Sequence, residues 1–391
     1  MCSVKMGVSR YIARNSALSF ALVGPFHNLR ATTRPCSRTV AADMWRLFSR
    51  RAHQLATKPG ATLRVVGSDC AKLVVKTNME TYVSDLEGAA QDGKPCSDEE
   101  LASWAIAEAE SGDLTITTRA HAATISVPAS FNVSVEMEGA CDVDMNGWLE
   151  GTVDITVGGC GSVGVNTVRG LLTSVSTMGG NVRVDHIEGN LDVRGAGDVQ
   201  LGKIMGEEVA IEAAGAVKCR ALYAKELKLE AKGGVTAAVL SAEVGEIRVD
   251  AKTSLESAEG ELTIHVGAGD LEVQASEALR KLHVEADAAA APSISVHVPE
   301  GFATQMRLLA EKLDVDERLL ARARERPAGL GGGPEEVCVA VDAGGEGATP
   351  CDLTLRAAGC SVSVAQQSWF EQRMKMAAAG GTKRRPSEER R

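Results

Sequence analysis

Hydrophobic and polar positions alternate with period two along most of this chain, in short runs each opened by a glycine. The clearest are Gly180-Asn-Val-Arg-Val-Asp185, Gly189-Asn-Leu-Asp-Val-Arg194 and Gly197-Asp-Val-Gln-Leu201. Further on come Gly245-Glu-Ile-Arg-Val-Asp250, Gly260-Glu-Leu-Thr-Ile264 and Gly269-Asp-Leu-Glu-Val273. Strict alternation marks a strand with one buried face, and the glycine marks the bend before it. The runs recur about every nine or ten residues, too closely for helices to intervene, so a parallel α/β fold is excluded. Sandwich, barrel and solenoid remain. Aromatic residues make up only 3% of the chain. A sandwich core about 10 Å thick needs larger side chains than Val, Ile, Leu and Ala, whereas a narrow solenoid bore stacks small ones in ladders. The expected fold is therefore all-β, a parallel β-solenoid over residues 61–371.

Three segments depart from the repeat. Ser97-Asp-Glu-Glu100 has the form of a capping box, which predicts a helical insertion over 97–110. Residues 314–326 read as a short charged helix, and 327–335, with Gly331-Gly-Gly333, as a flexible loop before the last strands, 336–341, 352–356 and 361–365. The tail, 372–391, is expected to be disordered. Just past the last strand, Trp369 and Phe370 are expected to cover the end of the solenoid, whose open edge would otherwise recruit another chain.

The net charge of −10 conceals an asymmetry. Residues 1–60 carry ten basic side chains and one acid, leaving 32 basic and 51 acidic residues in 61–391, a balance of −19. A body of that sign repels phosphates, which argues against a nucleic-acid partner. The basic, acid-poor start has the pattern of a mitochondrial presequence. Met44-Trp-Arg-Leu-Phe-Ser-Arg-Arg-Ala52 is a complete presequence by itself, which raises Met44 as an alternative initiator to Met1. The competing reading is a secretory signal with Ser16–Val23 as its apolar core, but six arginines follow it. No run reaches the ~20 apolar residues of a transmembrane helix.

Each glycine-based or charged motif carries a functional and a plain reading. Gly159-Cys-Gly-Ser-Val-Gly164, with Asp185 downstream, fits a dinucleotide fingerprint, but that mechanism needs a helix at the third glycine, and Gly164-Val-Asn-Thr-Val168 continues as strand. A calcium β-roll needs aspartate where Val163 stands. His186, His265, His283 and His297 fall within strands; with an 18-residue rung His265 and His283 would stack outward, two ligands short of a zinc site. Arg183, Asp185, Asp192 and Arg194 also point outward and resemble the charge clusters of lyase-type β-helices, yet no sugar-stacking aromatics accompany them. Cys70, Cys96, Cys141, Cys160, Cys219, Cys338, Cys351 and Cys360 contain no CxxC pair and read as small buried hydrophobes. No catalytic, cofactor-binding or metal-ligating residue is nominated, and no small-molecule ligand.

The repeats, with Cys219-Arg-Ala-Leu-Tyr-Ala224, Val298-Pro-Glu-Gly-Phe302, Lys312-Leu-Asp-Val315 and above all Gln367-Ser-Trp-Phe370, resemble the eukaryotic family with sequence similarity 185 member A. That family lies within the putative-adhesin β-solenoid superfamily. The resemblance spans about residues 60–372 and implies a solenoid and a mitochondrial address, but no activity that transfers residue by residue. The function expected is a non-enzymatic mitochondrial scaffold or binding protein with an unknown protein partner. The alternatives are a carbohydrate-active or lyase-type β-helix enzyme and an exported adhesin-like surface protein.

Overall fold

The computed structural model describes residues 55–56, 60–68, 70–78, 82–89, 105–109, 113–118, 120–287, 292–300, 302–321, 335–341, 351–368 and 371. The central rungs are β11 (Val163–Thr177), β12 (Val182–Ala196), β13 (Val199–Ala213), β14 (Val217–Ala231), β15 (Val235–Val249), β16 (Thr253–Val266) and β17 (Leu271–Ala286), each pairing in parallel with the next. Register advances by 18 residues from Val199 to Val217, Val235 and Thr253 in turn. Two of the glycine-led runs therefore make one rung: 180–185 and 189–194 are the two ends of β12.

Each rung buries the same six positions. In β13 they are Val199, Leu201, Ile204, Val209, Ile211 and Ala213; in β14, Val217, Cys219, Leu222, Leu227, Leu229 and Ala231. Stacked rung on rung, these columns form the bore, each large aliphatic side chain contributing about 1.5–3 kcal/mol on burial. Phe131 is the largest fully buried side chain. Cys219 fills a core column between Leu201 and Ala237. Threonine enters the columns at Thr173, Thr177 and Thr253; of these Thr173, level with Leu191, has a buried hydroxyl with no hydrogen-bond partner. An unsatisfied buried hydroxyl costs about 1–3 kcal/mol. Thr173→Val, which keeps the shape and removes the hydroxyl, is expected to raise stability by roughly 1 kcal/mol, read as a higher urea midpoint at unchanged slope.

Two corners are built of small residues. Two positions before each rung's first buried residue stand Cys141, Gly161, Gly180, Gly197, Gly215, Gly233, Ala251 and Gly269. A Cβ on Gly161 would lie 2.0 Å from the Cys141 carbonyl oxygen, and one on Gly180 1.8 Å from that of Gly161. The second corner column runs Gly151, Gly170, Gly189, Gly206, Ala224, Ala242 and Gly260. The Gly-x-Gly-x-x-Gly run at 159–164 thus serves rung-to-rung approach and leads into β11, with no helix at Gly164. Beside the first corner, side chains cap backbone amides of the next rung: Asn181 Oδ1 accepts from Asp198 N at 3.0 Å, and Asp198 Oδ1 from Ala216 N at 2.8 Å.

Both ends of the body depart from simple coiling. Near the amino end, β2 (Thr62–Gly67) lies between β6 (Leu114–Thr118) and β8 (Asn132–Met137). Likewise β3 (Lys72–Asn78) lies between β7 (Ala122–Pro128) and β9 (Asp142–Leu149). β10 (Val153–Val157) then joins β8 to the second half of β11. The outermost strands are covered antiparallel: β4 (Tyr82–Ala89), itself flanked by β1 (Leu55–Ala56), lies on β7, and β5 (Ala105–Glu108) lies on β6. At the other end β21 (Cys351–Gln367) sits between β17 and β18 (Ser293–Pro299) on one side and β19 (Thr304–Val315) on the other. β20 (Glu335–Val341) covers β19 antiparallel.

Several expectations are corrected. Residues 105–108 are strand β5, so the helix expected over 97–110 does not extend there, because pairing with β6 outweighs the helical preference of Ala-Ile-Ala-Glu. Residues 97–104 lie outside the described set. The second helix is α1 (Glu317–Ala321), and 314–315 finish β19 because Leu313 and Val315 pair with Val362 and Val364. Asp316 caps it, its Oδ1 accepting from Arg318 N at 2.9 Å. The strands expected at 352–356 and 361–365 are one element, β21. The segments 1–54, 322–334, 369–370 and 372–391 lie outside the described residues, and with them the presequence, most of the loop, the Trp369–Phe370 cover and the tail.

Candidate functional site

Outward side chains on successive rungs form columns, so the candidate site is built by asking what each column presents. In the first, Asp144, Gly164, Arg183, Gln200 and Lys218 line a shallow groove of about 380 Å3. Gly164 leaves a notch between Asp144 and Arg183. Arg183 Nε donates to Asp185 Oδ1 at 3.0 Å, and Lys72 pairs with Asp144 at 3.5 Å.

The second groove, about 400 Å3, follows the corner column from Gly206 to Gly260. Met205, Tyr223, Ser241 and Glu259 wall one side; Lys225, Glu243 and Arg280 stand nearby. Lys225 pairs with Glu207 of the preceding rung, which holds the Glu207 carboxyl below its usual range and the ammonium above its own. Arg280 reaches the Glu243 carbonyl at 3.4 Å and the Glu261 carboxylate at 3.8 Å.

The third face carries Asp192, Arg194, Glu246, Arg248, His265, His283 and Glu285. Arg194 Nη2 lies 2.7 Å from Asp192 Oδ2, and Arg248 Nη2 2.7 Å from Glu246 Oε1. His265 and His283 do not stack. His265 is opposite Arg248 and Glu285, and His283 opposite Thr263, because register shifts between β16 and β17 displace their second halves. Glu285 joins them, at 3.3 Å from His265 Nδ1 and 2.9 Å from His283 Nε2, and the His283 bond lowers its pKa. His186 similarly bonds Glu188 at 3.0 Å, and His297 lies 3.8 Å from Glu272. Among the described residues no group of three or more His, Cys, Asp or Glu is placed to hold a metal ion.

The charge cluster invoked for lyase chemistry is divided. Asp185 and Asp192 each bond the arginine two residues away, and the pairs belong to separate ladders, at opposite ends of β12. Arg183 lines the first groove; Asp185 and Asp192 do not. A general acid needs a carboxyl aimed at the bond it protonates, and both aspartates here are turned to an arginine instead. The proximity that sequence reasoning missed is that of Cys70 and Cys141, whose thiols lie against the carbonyls of Lys72 and Asp142, residues paired on adjacent strands.

Asp142 gives a pH test. Its Oδ1 accepts from Ser162 N at 2.8 Å and from Ser162 Oγ at 2.7 Å, and these bonds lower its pKa. A depressed carboxyl contributes stability that is complete above its unfolded value, about 3.9, and is lost as pH falls through the lower folded value. Asp142→Asn keeps the acceptor and removes the charge. Its melting temperature is expected to lie below the parent's at pH 7, where the charged carboxylate still stabilises the fold, and to converge on it as pH falls below about 4, by thermal scans at each pH.

No protein-family model matches the chain, and no curated protein does. Among solved structures it is similar to one described as a putative cell adhesion protein from Clostridium sporogenes, with 8% identity, 80% of this chain and 96% of that chain covered, and a TM-score of 0.15. No helix among the described residues is long and apolar enough to cross a membrane.

Proposed function

We propose that this chain is a non-enzymatic scaffold of mitochondria, related to the family with sequence similarity 185 member A, whose columned faces bind an extended protein segment. The observation that carries the reading is the state of its outward charges. The carboxylates best suited to chemistry are joined to neighbouring arginine, lysine or histidine side chains on open strand faces. Parallel pairing over seven rungs holds those charges at repeating intervals, which suits recognition of an extended chain by charge pattern. The excess of acid in 61–391 favours a basic partner segment. The mitochondrial address rests on the basic, acid-poor first 60 residues.

The test is fractionation of cells expressing the full-length chain, with protease protection, followed by proximity labelling from its carboxyl end. Recovery inside mitochondria with a reproducible set of labelled neighbours is the expected result. Recovery in the secretory pathway or medium would replace this reading with the exported one. Cleavage of uronate polymers by the purified protein would replace it with the enzyme.

A further inference from the structure

Most cysteines of the body stand apart from one another. Cys219 and Cys351 sit in core columns, and burial pushes both thiols up to about 12. Cys160 is exposed. Cys70 and Cys141 differ because the intercalation of β2 and β3 places them together. β3 runs between β7 and β9 with Lys72 opposite Asp142, and Asp142 N donates to the Ala71 carbonyl at 2.9 Å. Cys70 lies two residues ahead of Lys72 and Cys141 one residue ahead of Asp142, just before the two strands begin, and both side chains are buried, 4% and 1% exposed. Cys141 occupies the corner column that glycine fills in most later rungs, so its thiol has only the neighbouring rung to turn to. Cys70 Sγ donates to the Lys72 carbonyl at 3.2 Å, and Cys141 Sγ lies 3.7 Å from the Asp142 carbonyl.

The two sulfurs lie against the carbonyls of Lys72 and Asp142, which are paired on adjacent strands about 4.8 Å apart, so both thiols converge on one point between the strands. We propose that Cys70 and Cys141 form a reversible, peroxide-sensitive disulfide that staples the amino-terminal rung to the rest of the solenoid. This goes beyond the scaffold reading and does not depend on it. The neighbouring Cys141 thiol draws the Cys70 pKa down, while Cys70 and burial push that of Cys141 up, so one thiol supplies the nucleophile and the other keeps its proton. The Cys70 thiolate attacks one oxygen of hydrogen peroxide, breaking the O–O bond and giving a sulfenic acid and hydroxide. The Cys141 sulfur then displaces the sulfenic oxygen, which leaves as water with the Cys141 proton. Two electrons pass from the sulfurs to the peroxide, and the protein loses two hydrogens. The bridge closes a loop running from β3 through β8, and a thiol reductant reopens it.

The experiment uses full-length protein with Cys160→Ser, which removes the exposed cysteine among the described residues, and hydrogen peroxide as oxidant. Differential alkylation with mass mapping follows each cysteine. Cys70 and Cys141 are expected to lose reactivity together, about tenfold faster than Cys219 and Cys351, and to appear as one cross-linked peptide pair that dithiothreitol separates. The oxidised protein is expected to melt several degrees higher. Cys70→Ala should leave Cys141 as inert as Cys219. Oxidation of the two at the Cys219 rate, linkage of either to another cysteine, or a Cys141 unaffected by Cys70→Ala would overturn the proposal. If Cys70→Ala fails to fold, the rates and mapping in the Cys160→Ser protein decide alone.

Discussion

A chain ending after residue 350 is expected to lose its cooperative fold and aggregate, although it keeps every one of the seven central rungs. β21 is no terminal appendage: its first half lies between β17 and β19, and its second half between β18 and β19. Removing it exposes one edge of the central body and one edge of β19 at the same time, each a template for pairing with another chain. It also removes Leu353, Leu355, Val362 and Val364, all 2% exposed or less. At about 1.5–3 kcal/mol each, these four side chains account for roughly 6–12 kcal/mol, comparable to the whole stability of an ordinary domain. Size-exclusion chromatography and urea unfolding are the measurements, and a chain ending after residue 371, which spares β21, is the control. Leu355→Ala tests the same place more gently and is expected to cost about 2–5 kcal/mol. If the 350-residue chain unfolds with the control's midpoint, β21 does not hold the end together.

The same intercalation explains which parts of the fold the sequence makes legible. Alternation in Val182-Arg-Val-Asp185 and Leu191-Asp-Val-Arg194 is a local consequence of one buried face, so strands, bore and glycine bends can be read directly. The order in which strands pair is not local. Nothing in Thr62–Gly67 signals that it pairs with both 114–118 and 132–137, nor in 351–367 that it must slip between elements already laid down. That arrangement also requires long-range contacts before the ends are complete, which predicts slow closure relative to the central rungs. Which side chains become neighbours on the outer faces is equally non-local. The 18-residue spacing of His265 and His283 matches the central rungs, but the register shifts between β16 and β17, which fall between Leu255 and Glu261, move the second ring beside Glu285. Cys70 and Cys141 share no motif spacing at all; only the strand order unites them. Ala105–Glu108 shows the converse, a segment with helical preference drawn into pairing because β6 would otherwise be an open edge.

Gly260→Ala is expected to destabilise the protein by about 2–5 kcal/mol, and comparison with a second glycine separates contact from conformation. Gly260 has φ +87°, and a Cβ there would lie 1.7 Å from the carbonyl oxygen of Ala242 on the rung below. Rungs about 4.8 Å apart leave no slack for a methyl between backbones, and the carbonyl is itself fixed by the ladder. Positive φ alone costs an L-residue roughly 1–2 kcal/mol, and overpacking adds about 1–3. Gly179 separates the two contributions: its φ is +94°, yet a Cβ there would meet nothing within 4 Å. Gly179→Ala should therefore cost only the conformational part, about 1–2 kcal/mol. Within Gly260's own column Ala224 and Ala242 already carry methyl groups, where β14 and β15 run in unbroken register. The register shifts on either side of Gly260 are what turn its corner into the rung below. Urea midpoints for the two variants, measured side by side, should differ about twofold or more in their displacement from the parent. Equal displacements would mean that backbone conformation, and not rung contact, selects glycine at this corner.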